Sequence, residues 1–239
     1  MANYKDIKGT NVQDIEGNPD NPVNGQLWYN SATRVLKGRI FVPDAFSTGG
    51  NLPTSVRQNV GAGTQTAGLS SIGYSDATSG YLSATNEYNG TSWTGGGTNP
   101  NTARNAQGAG TQTAALSIGG IAASKPSVGT EEYDGSSWTA GGNLGSGGYD
   151  IGTTGPQTAA LAFGRYLSDT AYDETQHYDG TSWSTSPATF PATTVAGGDL
   201  SGAGSQTASA SFGGSAPGSS VSTIEFDGGA FSTVSIDVD

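Results

Sequence analysis

The chain has 239 residues, with 39 Gly, 10 Pro, no Cys and a net charge of −11. Leu, Ile, Val and Phe supply only 37 residues, below the ~20% that flags disorder, which leaves too little for a thick core. A helical bundle or doubly wound core is therefore excluded, and any core is thin, distributed and built from Ala, Gly and aromatics.

The missing Cys excludes disulfides, thiolate metal sites and a Cys nucleophile. The acidity argues against nucleic acid and anionic lipid as partners. No apolar run approaches the ~20 residues of a membrane span, so no membrane insertion is expected. The opening MANYKDIKGT lacks the apolar stretch of a secretory signal. Charge is uneven: residues 1–60 carry six bases against five acids, and residues 61–239 carry three against fifteen. That asymmetry predicts a front that docks and a body that stays soluble.

Residues 1–39 read as a separate anchor or oligomerisation segment. They are polar and turn-rich until GQLWYNSATRVLKG, which reads as one hairpin. Leu27, Trp28 and Tyr29 face Val35 and Leu36 across an Asn30–Thr33 turn. Trp28, Tyr29, Arg34, Lys37 and Arg39 form a candidate assembly interface. Packing of Trp28 and Tyr29 on the next hairpin accounts for the same two aromatics equally well.

Residues 40–239 repeat themselves. GAGTQTAGLSSIG begins at Gly61, GAGTQTAALSIGG at Gly108, TTGPQTAALAFG at Thr153 and GAGSQTASASFGG at Gly202. Their glutamines, Gln65, Gln112, Gln157 and Gln206, are 47, 45 and 49 residues apart. A second motif keeps the same period: NEYNGTSWTGGG, EEYDGSSWTAGG, QHYDGTSWSTS and IEFDGGAFSTV. It places Trp93, Trp138, Trp183 and Phe231 at one structural repeat position. A degenerate copy, RIFVPDAFSTGG, adds a hairpin over 40–48 with Phe46 in the Trp place.

The units run over about 57–103, 104–148, 149–194 and 195–239, and each offers four short strands. Asn89-Gly90, Asp134-Gly135 and Asp179-Gly180 predict type I′ turns before the Trp strands. No segment carries a helical period. Units this thin need neighbours to bury a face.

These residues resemble the kelch repeat: a strand ending in Gly-Gly, then Tyr-Asp, then Trp five residues after the Tyr. Arg57 and Arg104 stand at the kelch Arg position, where the third and fourth units have Tyr149 and Gly198. The resemblance implies an all-β, kelch-like β-propeller or propeller-like array of four to five units, with the Trp at contacts between units. Ring closure stays open at this stage. GQLWYN followed by Gly-Thr-Gln-Thr-Ala repeats is also similar to structural proteins of marine tailed bacteriophages. That similarity implies a virion protein with other virion proteins as partners: a homo-oligomeric tail fibre or appendage that attaches to a host-surface polysaccharide. A capsid-decorating protein is the alternative within the particle.

An enzyme is not expected, although a carbohydrate-active enzyme on this scaffold is the alternative from another class. The single histidine, His177, occupies a repeat position shared with Glu87, Glu132 and Glu225, so no Ser-His-Asp triad is read here. No metal, cofactor or catalytic residue is assigned. The adjacent pairs Glu131/Glu132 and Asp173/Glu174 point to opposite faces of a strand and do not make a glycosidase pair. Each repeated Gln is expected to cap its own turn. If the array binds a glycan, the irregular loops are the better place, with Tyr74, Tyr81, Tyr149, Tyr166 and Tyr172 suited to stacking on sugar rings.

Overall fold

The computed structural model describes residues 12–23, 25–39, 46, 48–123, 125–167, 170–191, 199–215 and 221–228, and the backbone of 231–234. Two compact units emerge, Met1–Thr48 and Gly49–Asp239. Every regular element among the described residues is a strand.

In the first unit, β1 (Gln13–Ile15), β2 (Leu27–Asn30) and β3 (Val35–Gly38) make one sheet in the order β1-β2-β3. The expected hairpin is β2–β3, with Tyr29 opposite Leu36 and Trp28 opposite Lys37. Asn30 holds the turn by accepting the Thr33 N–H at 2.9 Å, and its amide donates to the Gly17 carbonyl. The parallel partner β1 carries no sequence signal, because Gln-Asp-Ile has neither alternation nor an apolar run. Phe46 is fully exposed, and most of the hairpin expected over 40–48 lies outside the described residues.

The second unit repeats one four-stranded antiparallel meander. Sheet one is β4 (Val60–Thr64), β5 (Ala67–Ser75), β6 (Gly80–Tyr88) and β7 (Trp93–Gly95). Sheet two is β8 (Gln107–Thr111), β9 (Ala114–Ile118), β12 (Thr130–Tyr133) and β13 (Trp138–Ala140). A small hairpin of β10 (Ile121–Ala122) and β11 (Lys125–Pro126) interrupts it. Sheet three is β14 (Gly152–Thr154), β15 (Leu161–Leu167), β16 (Thr170–Tyr178) and β17 (Trp183–Thr185). Sheet four is β18 (Ser201–Gly204), β19 (Ser209–Phe212), β20 (Thr223–Phe226) and β21 (Phe231–Val234). The all-β reading and the four-strand unit both hold.

The core is distributed between sheets, as composition requires. Val60 and Ile72 of sheet one meet Ala103 and Ala106, and Leu69 meets Ala115, Tyr133 and Trp138. Leu116 and Ile118 meet Leu144, Ile151, Ala160 and Tyr178 between sheets two and three. Leu161, Phe163 and Phe190 meet Leu200, Ile224 and Phe226 between sheets three and four. Each cluster spans two sheets, so no sheet buries its own face alone.

The second strand of sheets one and three carries a bulge. Register shifts between Ser71 and Gly73 and between Phe163 and Arg165. Gly119 and Gly120 both have positive φ, 66° and 97°. In sheet one Ile72 takes the first of these places at φ 43°, a conformation that costs a β-branched residue of order 1–3 kcal/mol; its near-complete burial holds it there.

The turns before the Trp strands are not type I′. Tyr88 pairs with Trp93, leaving the four-residue loop Asn89–Ser92, and only Gly90 has positive φ. The reason is the Asn89 side chain, whose oxygen accepts the N–H groups of Thr91 and Ser92 at 3.0 and 2.9 Å. Asp134 and Asp179 do the same in their units.

The Asp134 carboxylate is pulled down to about 2 by the backbone N–H of Ser137, then by the Ser136 hydroxyl and N–H. Its folded pKa lies below the unfolded value of ~3.9. Its stabilising contribution is therefore complete above pH ~4 and is lost as pH falls toward 2. A carboxyl NMR titration should place the Asp134 midpoint near 2; an ordinary midpoint would contradict the loop geometry.

Candidate functional site

The two ends of the sheets differ. The Gln-Thr and Asx turns lie at one end. At the other lie the β5–β6 and β15–β16 tips and the segments that lead into β4, β8 and β14. Arg57 and Arg104 bridge to Tyr74 and Ile121 at this second end, and Tyr149 takes the same place in the third unit by bridging to Tyr166.

The expected loop tyrosines fall into groups here. Tyr74 and Tyr81 meet edge to face with ring centroids 5.5 Å apart. The Arg57 guanidinium lies 4.8 Å from the Tyr74 centroid and that of Arg104 lies 5.9 Å from it. Arg57 also pairs with Asp76 at 3.1 Å. The Gln58 side-chain oxygen accepts from Arg57 Nη1 and Arg104 Nη1 at 3.0 and 3.4 Å, tying two units together. The Tyr81 hydroxyl accepts the Ala123 N–H at 3.0 Å. A cleft of about 90 Å³ opens among Ser55, Val56, Arg57, Tyr74 and Asp76.

On sheet three, Tyr149 and Tyr166 form a matching edge-to-face pair at 5.8 Å. Tyr172 instead carries the Arg165 guanidinium at 4.0 Å, and Arg165 lies 3.4 Å from Glu174. All five tyrosines are half-buried. The chemistry on offer is aromatic faces beside guanidinium and carboxylate edges, which suits C–H faces and hydroxyls of the same ligand.

A positive-φ residue follows this position in every unit: Gln58, Asn105 and Asp150 after Arg57, Arg104 and Tyr149, and Asp199 after Gly198, at 56°, 55°, 56° and 52°. The Asn105 N–H donates to the Gln58 carbonyl at 3.0 Å and the Asp150 N–H to the Asn105 carbonyl at 3.1 Å. Burial raises the Asp150 pKa, opposed by the Asn105 amide. Among the described residues, no group of three or more His, Asp or Glu is placed to hold a metal ion.

The repeated polar residues serve the junctions between sheets. Gln112 Nε2 donates to the Gly68 and Tyr88 carbonyls of sheet one, each at 2.8 Å. Gln157 reaches Ala115 and Tyr133 of sheet two, and Gln206 reaches Ala160 and Tyr178 of sheet three. The expectation that each Gln caps its own turn is thus corrected: these side chains point back to the preceding sheet. Trp138 Nε1 donates to Thr85 and Trp183 Nε1 to Thr130, again on the preceding sheet.

The repeated glutamates follow the same logic. Glu87 accepts the Tyr133 hydroxyl at 2.5 Å, and Glu132 accepts that of Tyr178. Burial and the Glu87 hydrogen bond push the Tyr133 hydroxyl up to about 12. At the last junction both partners change, and the His177 ring meets Phe226 at 5.8 Å. This co-substitution is readable in the sequence once the offset between the paired positions is known. Gln157→Ala removes two hydrogen bonds and should cost about 1–3 kcal/mol in urea unfolding; a loss within error would mean that the bonds do not fasten the sheets.

In the first unit Trp28 is buried and Tyr29 half-buried. Lys37 Nζ donates to Asn18 at 2.9 Å. Arg34, at the turn with φ 56°, and Arg39 are exposed. The Phe231 backbone pairs with Phe226, and its side chain lies outside the described residues. The chain matches no protein-family model and no curated protein.

Proposed function

We propose that this chain is a non-enzymatic structural protein of a phage particle, a tail fibre or appendage. Its first unit anchors to other virion proteins or to sister subunits. Its four meanders form a kelch-like propeller or array that presents the tyrosine–arginine end to a host-surface glycan. One observation carries this reading: the Tyr74–Tyr81 pair stands with Arg57 and Arg104 over Tyr74 at the end where loops vary, while the side chains of Gln112, Gln157, Gln206, Glu87, Glu132, Trp138 and Trp183 are occupied between sheets. The order of the GQLWYN segment and the Gln-Thr-Ala repeats supports the particle assignment.

The test has two parts. Quantitative mass spectrometry of purified particles should give a handful of copies per particle, in a multiple of the tail symmetry. Hundreds of copies would instead mean capsid decoration, and none would overturn the particle assignment. Binding of the purified chain to host-envelope polysaccharide should fall at least tenfold in Tyr74→Ala and Tyr166→Ala. Unchanged binding in both variants would remove the tyrosine end from the reading.

A further inference from the structure

The three junctions between sheets differ at one buried place. Leu116 and Ile118 of β9 face sheet three, so Ser117 between them faces sheet one. Glu132 of β12 takes the Tyr178 hydroxyl of sheet three, so Glu131 also faces sheet one, opposite Ser117 in register. The segment linking the two sheets lies across from this pair. The Asn99 N–H donates to the Ser83 carbonyl of β6 at 2.9 Å, and the Asn99 side-chain oxygen accepts the Asn101 N–H at 2.9 Å. Asn101 Nδ2 and Glu131 Oε1 each stand 3.4 Å from the point that a Cβ on Gly129 would occupy.

Asn99 and Ser117 are 0% exposed and Glu131 is 8% exposed. Among the described residues, Asn99 Nδ2, Ser117 Oγ and Glu131 Oε2 are buried without a hydrogen-bond partner. Between sheets two and three the same places hold Leu144, Ala162 and Gln176. The first two are core, and Gln176 Oε1 accepts the Gly145 N–H at 2.8 Å. Between sheets three and four they hold Phe190, Ser211 and Ile224, where Phe190 and Ile224 are core and the Ser211 hydroxyl is unpartnered. In the first junction the place of Gly145 belongs to Pro100, which has no N–H to offer. No cation offsets Glu131 either. Glu87 and Tyr133 in this junction bond each other, Arg57 and Arg104 lie over Tyr74, and Lys125 is exposed. Among the described residues no Lys or Arg forms an ion pair with Glu131.

We infer that Glu131 makes the junction between sheets one and two a pH-sensitive joint, closed when its carboxyl is neutral and loosened when it ionises. A buried carboxylate with neither a cation nor a full set of donors is disfavoured in its charged form. Burial accordingly raises the Glu131 pKa above the unfolded value of ~4.3. The stability that the neutral group leaves in the joint is fully present below pH ~4 and is lost as pH rises through the raised folded value. The same joint carries the Arg104–Tyr74 and Tyr81–Ala123 contacts, so the loop end of sheets one and two loosens with it. The inference does not depend on the proposed function.

Thermal unfolding of the full chain and of Glu131→Gln tests it, compared with each other at pH 4 and at pH 8. The pairwise comparison matters because burial also raises Asp150, which titrates in the same direction. The expected result is equal midpoints at pH 4 and, at pH 8, a midpoint about 3 °C or more higher in Glu131→Gln. Hydrogen exchange at pH 8 should place the difference. The Gly73 and Asn105 amides, which bond Ala103 and Gln58 across this junction, should be less protected in the wild type than in the variant. The Gly120 and Asp150 amides, which bond Gly148 and Asn105 across the next junction, should be equally protected in both. A midpoint difference that is the same at both pH values would mean only that Gln packs better, and overturns the inference, as does a variant no more stable at pH 8. A carboxyl NMR titration of the wild type decides without any variant: a Glu131 midpoint above ~4.3 is expected, and an ordinary one overturns the inference.

Discussion

Gly108→Ala is expected to be strongly destabilising, costing about 3 kcal/mol. The added Cβ would lie inside van der Waals contact of the Gly61 carbonyl oxygen, and 3.0 Å from both the Gly61 carbonyl carbon and Val60 Cγ1. Two of these atoms are backbone, so no rotamer change relieves the clash. β8 cannot simply retreat, because Thr153 Oγ1 donates to the Gly108 carbonyl from sheet three at 2.9 Å. Gly95→Ala is the control: nothing lies within 4 Å of its Cβ, and a change within ~0.5 kcal/mol is expected there. Urea unfolding monitored by tryptophan fluorescence compares the two. Equal stabilities would show that sheets one and two are not in backbone contact.

Phe163→Ala should cost about 3–5 kcal/mol. The ring is 1% exposed and sits 5.3 Å from Phe190, centroid to centroid. Its room comes from two glycines. A Cβ on Gly152 would fall 2.7 Å from the Phe163 ring atoms Cδ2 and Cζ, and one on Gly202 would fall 3.1 Å from Cζ. Removing the ring leaves a void with backbone on two sides, which cannot collapse without moving β14 or β18. That loss is a large share of the ~5–15 kcal/mol that holds a typical domain together. Thermal unfolding with Phe163→Leu as an intermediate step measures it; a loss under about 1 kcal/mol would place the ring outside the core.

The period, phase and four-strand unit were legible in the sequence because they rest on local signals: Gly-Thr before each Gln-Thr strand, and an Asx-Gly pair between Tyr and Trp. The partners of the repeated side chains were not. Gln112 bonds residues 44 and 24 positions away, and no local pattern distinguishes that reach from a turn cap. The type I′ reading failed at Asn89 for a related reason: its side chain takes two N–H groups, and that competition with a two-residue turn is invisible to a rule about Asn-Gly pairs. Loop tyrosines were singled out as candidates for a site, and the structure joins Tyr74 to Tyr81 and Tyr149 to Tyr166. Which of them would meet required the bridges at Arg57 and Tyr149, which lie far upstream of the tips.

Each internal unit donates backward and accepts forward with the same offset, and this bears on how such a gene can lengthen. Tandem duplication of residues 104–148 would leave no junction with a mismatched partner, because the new copy presents Tyr133 to a Glu132 and Gln112 to the carbonyls of Ala115 and Tyr133. Duplication of 149–194 is different. It would set Tyr178 against His177 in place of Glu132, and the hydroxyl would lose its carboxylate. Unequal crossing-over is therefore tolerated at the second unit and penalised at the third, so longer natural versions of this chain should have grown from the middle of the row and kept the His177–Phe226 junction at its end.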